Sequence, residues 1–149
     1  MIFSIYFLPN VLNVTNILGT ITTGYMSDRF HRGRLLGLIY AVRAGTFIFL
    51  VSISNPWLLI PFAIIYGAFE MASIAPTASL TAHLFGQYSL GTVMGFVSIS
   101  HQFGGALGSW IPGLLFDLTG SYRFIIMFSA LLLIAGAIVV LSVPEHREQ

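Results

Sequence analysis

The sequence predicts an all-α polytopic membrane bundle of five transmembrane helices, and three observations predict it. Apolar residues make up 56% of the 149 residues and charged residues only 7%, against about 25% charged in an average soluble chain. Mean hydropathy is +0.90. Five apolar stretches reach the length of about 20 residues needed to cross a bilayer, and each gap between them carries turn chemistry. So few charges could hardly keep a water-facing surface soluble, which excludes a soluble enzyme or a disordered tail. There is no lysine and the net charge is +1. That leaves no basic stripe for phosphates, so nucleic acid is not an expected partner. The absence of cysteine removes disulfides and thiolate chemistry.

The elements follow in order. The expected spans are residues 2–26, 35–52, 57–81, 92–115 and 122–143, forming a single membrane domain over 1–149. Between the first two lies the polar, basic segment 27–33. Ser54-Asn55-Pro56 is a turn that starts the third span at proline, and Gly86-Gln87-Tyr88-Ser89 separates the third from the fourth. Asp117-Leu118-Thr119-Gly120-Ser121 ends the fourth span, with Ser121 placed to cap the fifth. Pro61, Pro76 and Pro112 fall inside spans and predict kinks or broken hydrogen bonds. The fifth span, Phe124 to Val143, carries no charge on any face, which a soluble bundle would not tolerate. Strands are not expected, because alternation is weak and the runs are too long for barrel strands.

Orientation follows from the arginines. Arg29, Arg32 and Arg34 lie in the first loop and Arg147 in the tail, on one side of a five-span layout, while the other side has only Arg123 near Asp117. The positive-inside rule puts the 27–34 loop, the 82–89 loop and the C-terminus in the cytoplasm of a multi-pass cell-membrane protein. Met1 then starts almost within the membrane, and the expectation is an N-terminally truncated fragment.

Three ionisable residues sit deep in spans. Arg43 lies about 13 Å from Arg34, Glu70 about 16 Å from Thr81 and His101 about 14 Å from the start of its helix. All are near the middle of a core about 30 Å thick, where each costs about 3 kcal/mol on insertion scales. Such groups are expected to face one another or a wet cavity. Glu70 and His101 are therefore candidates for proton or substrate handling. Arg43 is either an anion contact, a modulator of Glu70, or its static ion-pair partner. For His101 the structural alternative is an interhelical hydrogen bond.

On the first span, Asn13, Asn16 and Thr20 share one helical face, the pattern of a polar stripe lining a cavity or of helix-to-helix hydrogen bonds. On the fourth, Gly104-x-x-x-Gly108 is the spacing that admits a neighbouring helix closely. No metal-ligand spacing, Walker motif or hydrolase motif is present, so neither an enzyme nor a cofactor is expected.

Gly24-Tyr-Met-Ser-Asp28-Arg29-Phe-His31-Arg32-Gly33-Arg34 resembles the cytoplasmic-loop signature of the major facilitator superfamily between helices eight and nine. His31 stands where that family usually has glycine, and Gly33 replaces it if the turn is shifted by two. Pro76-Thr77-x-x-Leu80-Thr81-x-x-Leu84-Phe85-Gly86 is similar to helix ten of bacterial carriers related to monocarboxylate and oxalate/formate transporters. His101-Gln102-x-Gly104-x-Ala106-x-Gly108 is similar to their helix eleven, and Asp117-x-Thr119-Gly120-Ser121-Tyr122 to the following turn. Arg43 after Tyr40-Ala-Val resembles their helix nine.

The resemblance implies helices eight to twelve of a twelve-helix fold built from two halves around a midplane site. It implies a conformational latch at Gly24, Asp28, Arg29, Arg32 and Arg34. Asn13, Asn16, Glu70, His101 and Gln102 become cavity-lining candidates. The implied function is secondary active transport by alternating access of a small organic anion such as a monocarboxylate, driven by a proton or counter-substrate gradient. The implied partners are the lipid bilayer, the small-molecule substrate, and the N-terminal half of the same protein or a partner chain. The alternative is a non-transporting membrane remnant or interaction subunit.

Overall fold

A computed structural model describes residues 2–143, with side chains from residue 7. The fold is all-helical: α1 (Ile2–Arg29), α2 (Arg32–Ser52), α3 (Leu59–Glu70), α4 (Ile74–Phe85), α5 (Leu90–Thr119) and α6 (Arg123–Leu141), with a short 3-10 turn at Pro56–Leu58 before α3. Local chemistry sets most of these boundaries. Asn55 Oδ1 accepts a hydrogen bond from the Trp57 amide at 3.1 Å, capping the turn that Pro56 opens. Gly86 at φ 78° and Gly120 at φ 68° end α4 and α5 in a region closed to most side chains. Ser121, expected to cap α6, lies one residue early: Tyr122 takes the N-cap place without a side-chain bond, and Ser121 Oγ accepts from the Arg123 amide at 3.2 Å.

The third span differs from the single helix expected over 57–81. It divides into α3 and α4, broken at Met71–Ser73. Pro76 explains the position. In a continuous helix its nitrogen would face the carbonyl of Ala72, four residues back, with no N–H to donate and a ring that clashes. The chain instead turns through Met71, bonded by Ile74 N to Met71 O at 3.1 Å, and restarts at Ile74. Ala72, within the break, is fully buried against Leu35 and Ile39 of α2, with Met26 and Phe69 packed around them. Pro112 produces no such division, and α5 runs through it.

Helix packing follows small residues. α1 crosses α3 where Gly19 lies against the Ala68 backbone and Gly67 lies against Leu12 and Thr15. α2 packs on α3 and α4 with one face and on α6 with the other; Gly37 meets the Leu141 side chain and Gly136 approaches the Tyr40 ring. α5 makes its extensive contacts with α4, and α6 makes its own with α2. Outward surfaces are apolar, including Leu131, Leu132, Ile138 and Val139 on α6, as lipid requires.

Among the described residues, three of the five rods are long and apolar enough to cross a membrane by length and composition: Arg32–Ser52, the α3–α4 pair over Pro56–Phe85, and Arg123–Leu141, with mean hydropathy 1.9, 1.8 and 3.0. α1 and α5, at 28 and 30 residues, are long enough to span but carry the amides, histidine and glycines that lower their apolarity. The first and last loop ends also group as expected. His31, Gly33 and Arg34 share a cleft with Val140, Leu141 and Val143, so the basic loop and the end of α6 lie at one end of the bundle. The tail with His146 and Arg147 lies outside the described residues.

Candidate functional site

The α1–α3 crossing brings together the polar residues of the interior. Asn16 Nδ2 donates to Glu70 Oε2 at 3.5 Å, and Thr20 Oγ1 donates to Asn16 Oδ1 at 3.3 Å. All three side chains are half-buried. Glu70 is the last residue of α3, so its carboxylate stands at the helix break, beside the irregular backbone of 71–73. The threonines nearby are not part of this chain of bonds. Thr15, Thr22 and Thr23 return their hydroxyls to α1's own carbonyls, Val11 O at 2.8 Å, Leu18 O at 2.7 Å and Gly19 O at 2.7 Å. Of the polar stripe, Asn16 and Thr20 take part in the contact with Glu70.

Arg43 does not pair with Glu70, which corrects the static ion-pair reading. Among the described residues no ion pair joins them, and Arg43 Nε is buried with no hydrogen-bond partner. The geometry gives the reason. Arg43 follows Ile39 by one turn on the α2 face that packs on Ala72 and Phe69, whereas the Glu70 carboxylate reaches α1. The two side chains face different helices.

The remaining candidates separate from this centre. Asn13 is exposed on α1, one step round from Asn16. His101 and Gln102 are exposed on α5, whose extensive contacts are with α4 rather than with α1 or α3. Nothing lies within 4 Å of a side chain added at Gly104 or Gly108, so the close approach their spacing suggested does not occur within these residues. The close approach is instead at Gly19 and Gly67, two single glycines on different helices that form no spacing motif.

The loop signature is laid out in three directions. The Arg29 guanidinium sits 4.4 Å over the Tyr25 ring. Arg32 Nε donates to Ser79 Oγ on α4 at 2.6 Å, a tie between residues 47 apart that no local pattern announces. Arg34 lines the α2–α6 cleft. Asp28 is exposed, and a side chain added at Gly24 would meet nothing within 4 Å. His31 is extended at φ −60° and ψ 117°. The turn therefore needs no left-handed residue, and histidine serves where the family pattern has glycine.

The Major Facilitator Superfamily profile matches residues 1–149. The chain belongs to that superfamily. It is a multi-pass membrane protein of a transporter family rather than of an enzyme family. Among its relatives, Monocarboxylate transporter 12-B of Danio rerio is 28% identical over 95% of this chain and 30% of that protein. Monocarboxylate transporter 12 of Rattus norvegicus is 31% identical over 85% of this chain and 28% of its own length. The Triacylglyceride transporter of Mycobacteroides abscessus is 29% identical over 94% of this chain and 29% of that protein. These monocarboxylate transporters are vertebrate proteins, whereas the sequence resemblance pointed to a bacterial subgroup. The chain spans about 30% of the length of the curated relatives it matches. No solved structure matches it.

Proposed function

We propose that the chain is the C-terminal part of a secondary active transporter that moves a small organic anion, such as a monocarboxylate, by alternating access. The observation that carries this reading is the Thr20–Asn16–Glu70 chain of hydrogen bonds at a broken helix. Broken helices at mid-membrane are where transporters of this architecture hold substrates and coupling ions, and an intramembrane carboxylate is a functional group by default. Glu70 is the proton-coupling residue, positioned by Asn16. Arg43, not neutralised by Glu70, leaves a positive charge that a carboxylate substrate can meet. The greater polarity of α1 and α5 supports their role as cavity walls, with Asn13, His101 and Gln102 facing the part of the cavity completed by the other half of the protein or by a partner chain. The loop end of the bundle faces the cytoplasm of the cell, and the signature arginines latch the two halves there.

Counterflow of a labelled monocarboxylate into proteoliposomes carrying the full reading frame tests this. Accumulation above lipid-only vesicles is expected. Tight, protein-loaded vesicles with no accumulation of any short-chain monocarboxylate would return the chain to the non-transporting remnant or interaction subunit.

A further inference from the structure

We infer that the cleft between the start of α2 and the end of α6 is a binding site for the phosphate headgroup of an anionic membrane lipid. The cleft is about 170 Å³, roughly ten times the space one water needs. One wall is His31, Gly33 and Arg34; the other is Val140, Leu141 and Val143. This pairing of a basic wall with an apolar one matches a lipid, whose phosphate and acyl chain must be met side by side. A soluble anion would have no use for the second wall.

The position fits the same ligand. α6 is the most apolar rod and packs extensively on α2 alone, so its junction with α2 opens at the edge of the bundle, towards lipid. It lies at the end carrying the basic loop, where helices leave the hydrocarbon core. Basic pockets between helices at that level bind anionic headgroups. The floor is fixed by the Leu141 side chain lying against Gly37. The charge is available: Arg29 is engaged over Tyr25 and Arg32 with Ser79, while Arg34 is exposed and lines the cleft. No acidic residue in the first turn of α2 offsets it. The site is separate from the Glu70 centre, and the inference holds whether or not the protein transports.

The test is lipid binding by the full-length protein in neutral detergent, titrated with phosphatidylglycerol, phosphatidylcholine and glycerol 3-phosphate and read by native mass spectrometry. Phosphatidylglycerol is expected to be retained over phosphatidylcholine, with Arg34→Gln weakening its retention about fivefold. Arg34→Lys should keep most of it, and Leu141→Ala, which removes the apolar floor, should weaken it without touching the charge. Arg123→Gln, at the opposite end of α6, controls for general charge loss and should change nothing. Equal retention by wild type and Arg34→Gln would overturn the inference, as would equal weakening by Arg123→Gln. Retention of glycerol 3-phosphate as strong as that of the lipid would overturn it in favour of a soluble phosphate.

Discussion

Gly19→Ala is expected to destabilise the protein in proportion to the overlap at the α1–α3 crossing. A methyl group at residue 19 would stand 2.7 Å from Ala68 Cα and 2.6 Å from Ala68 C. The Ala68 carbonyl oxygen would be nearer still, and ordinary contact begins near 3.4 Å, so α1 must retreat by more than the 0.8 Å that Ala68 C alone requires. The obstacle is backbone, which cannot rotate away as a side chain could. Overpacking of this kind costs about 1–3 kcal/mol, while glycine-to-alanine in a helix returns about 1 kcal/mol through propensity. Gly45→Ala isolates the second term. Gly45 is interior to α2, and nothing lies within 4 Å of an added side chain there, so it gains the propensity and meets no neighbour. The difference between the two variants should therefore be about 1–3 kcal/mol, measured by reversible detergent-denaturant unfolding of the purified protein. The retreat also reaches the site. Asn16 lies one turn from Gly19, and its bond to Glu70 is already long at 3.5 Å, so it should be lost together with stability. Equal unfolding free energies for Gly19→Ala and Gly45→Ala would refute the crossing geometry.

Three further outcomes follow from the same contacts. A double-mutant cycle of Arg32→Ala and Ser79→Ala should give a coupling of about 1.5 kcal/mol, the low end for a bond to a charged group because both residues are half-buried; a coupling near zero would remove the tie between the loop and α4. Ala72→Leu should cost about 1–3 kcal/mol by overpacking the buried contact with Leu35 and Ile39, whereas Ala135→Leu on the exposed face of α6 should stay within about 0.5 kcal/mol. Pro76→Ala should restore a donor to the Ala72 carbonyl, join α3 to α4 and slow hydrogen exchange at residues 74–77; unchanged exchange there would mean that the proline does not set the break.

The helical fold and most of its boundaries were legible in the sequence because they rest on local chemistry. Asn55-Pro56, Gly86, Gly120 and Ser121 each act within a few residues of where they stand, and the apolar runs between them declare their lengths. The break at Met71–Ser73 was hidden by the unbroken apolarity of 57–81. Its one signal was Pro76, which ends the hydrogen-bond ladder four residues back rather than at the proline itself. The interior site was half legible. Depth along a helix can be counted, and the count is what singled out Arg43 and Glu70. Direction around the helix against neighbours cannot be counted, so the ion pair stayed open as one alternative for Arg43, where Asn16 instead takes the carboxylate. His101 fails to reach the centre for a similar reason, since the contacts of α5 with α4 rather than α1 depend on packing between distant segments. Glycine spacing misled in the same way. Gly104 and Gly108 have the pattern of a helix contact and touch nothing here, while Gly19 and Gly67 have no pattern and form one.

The central claim is that Glu70 carries protons for solute movement. The measurement is pH-gradient-driven uptake by proteoliposomes carrying the full reading frame, with wild type compared with Glu70→Gln. Glutamine keeps the shape and a hydrogen-bonding oxygen for Asn16 but cannot take up or release a proton. The account predicts that wild-type uptake rises with an inward proton gradient and that Glu70→Gln loses this response while still exchanging labelled for unlabelled substrate at equal pH. A Glu70→Gln protein that responds to the proton gradient as the wild type does would contradict it.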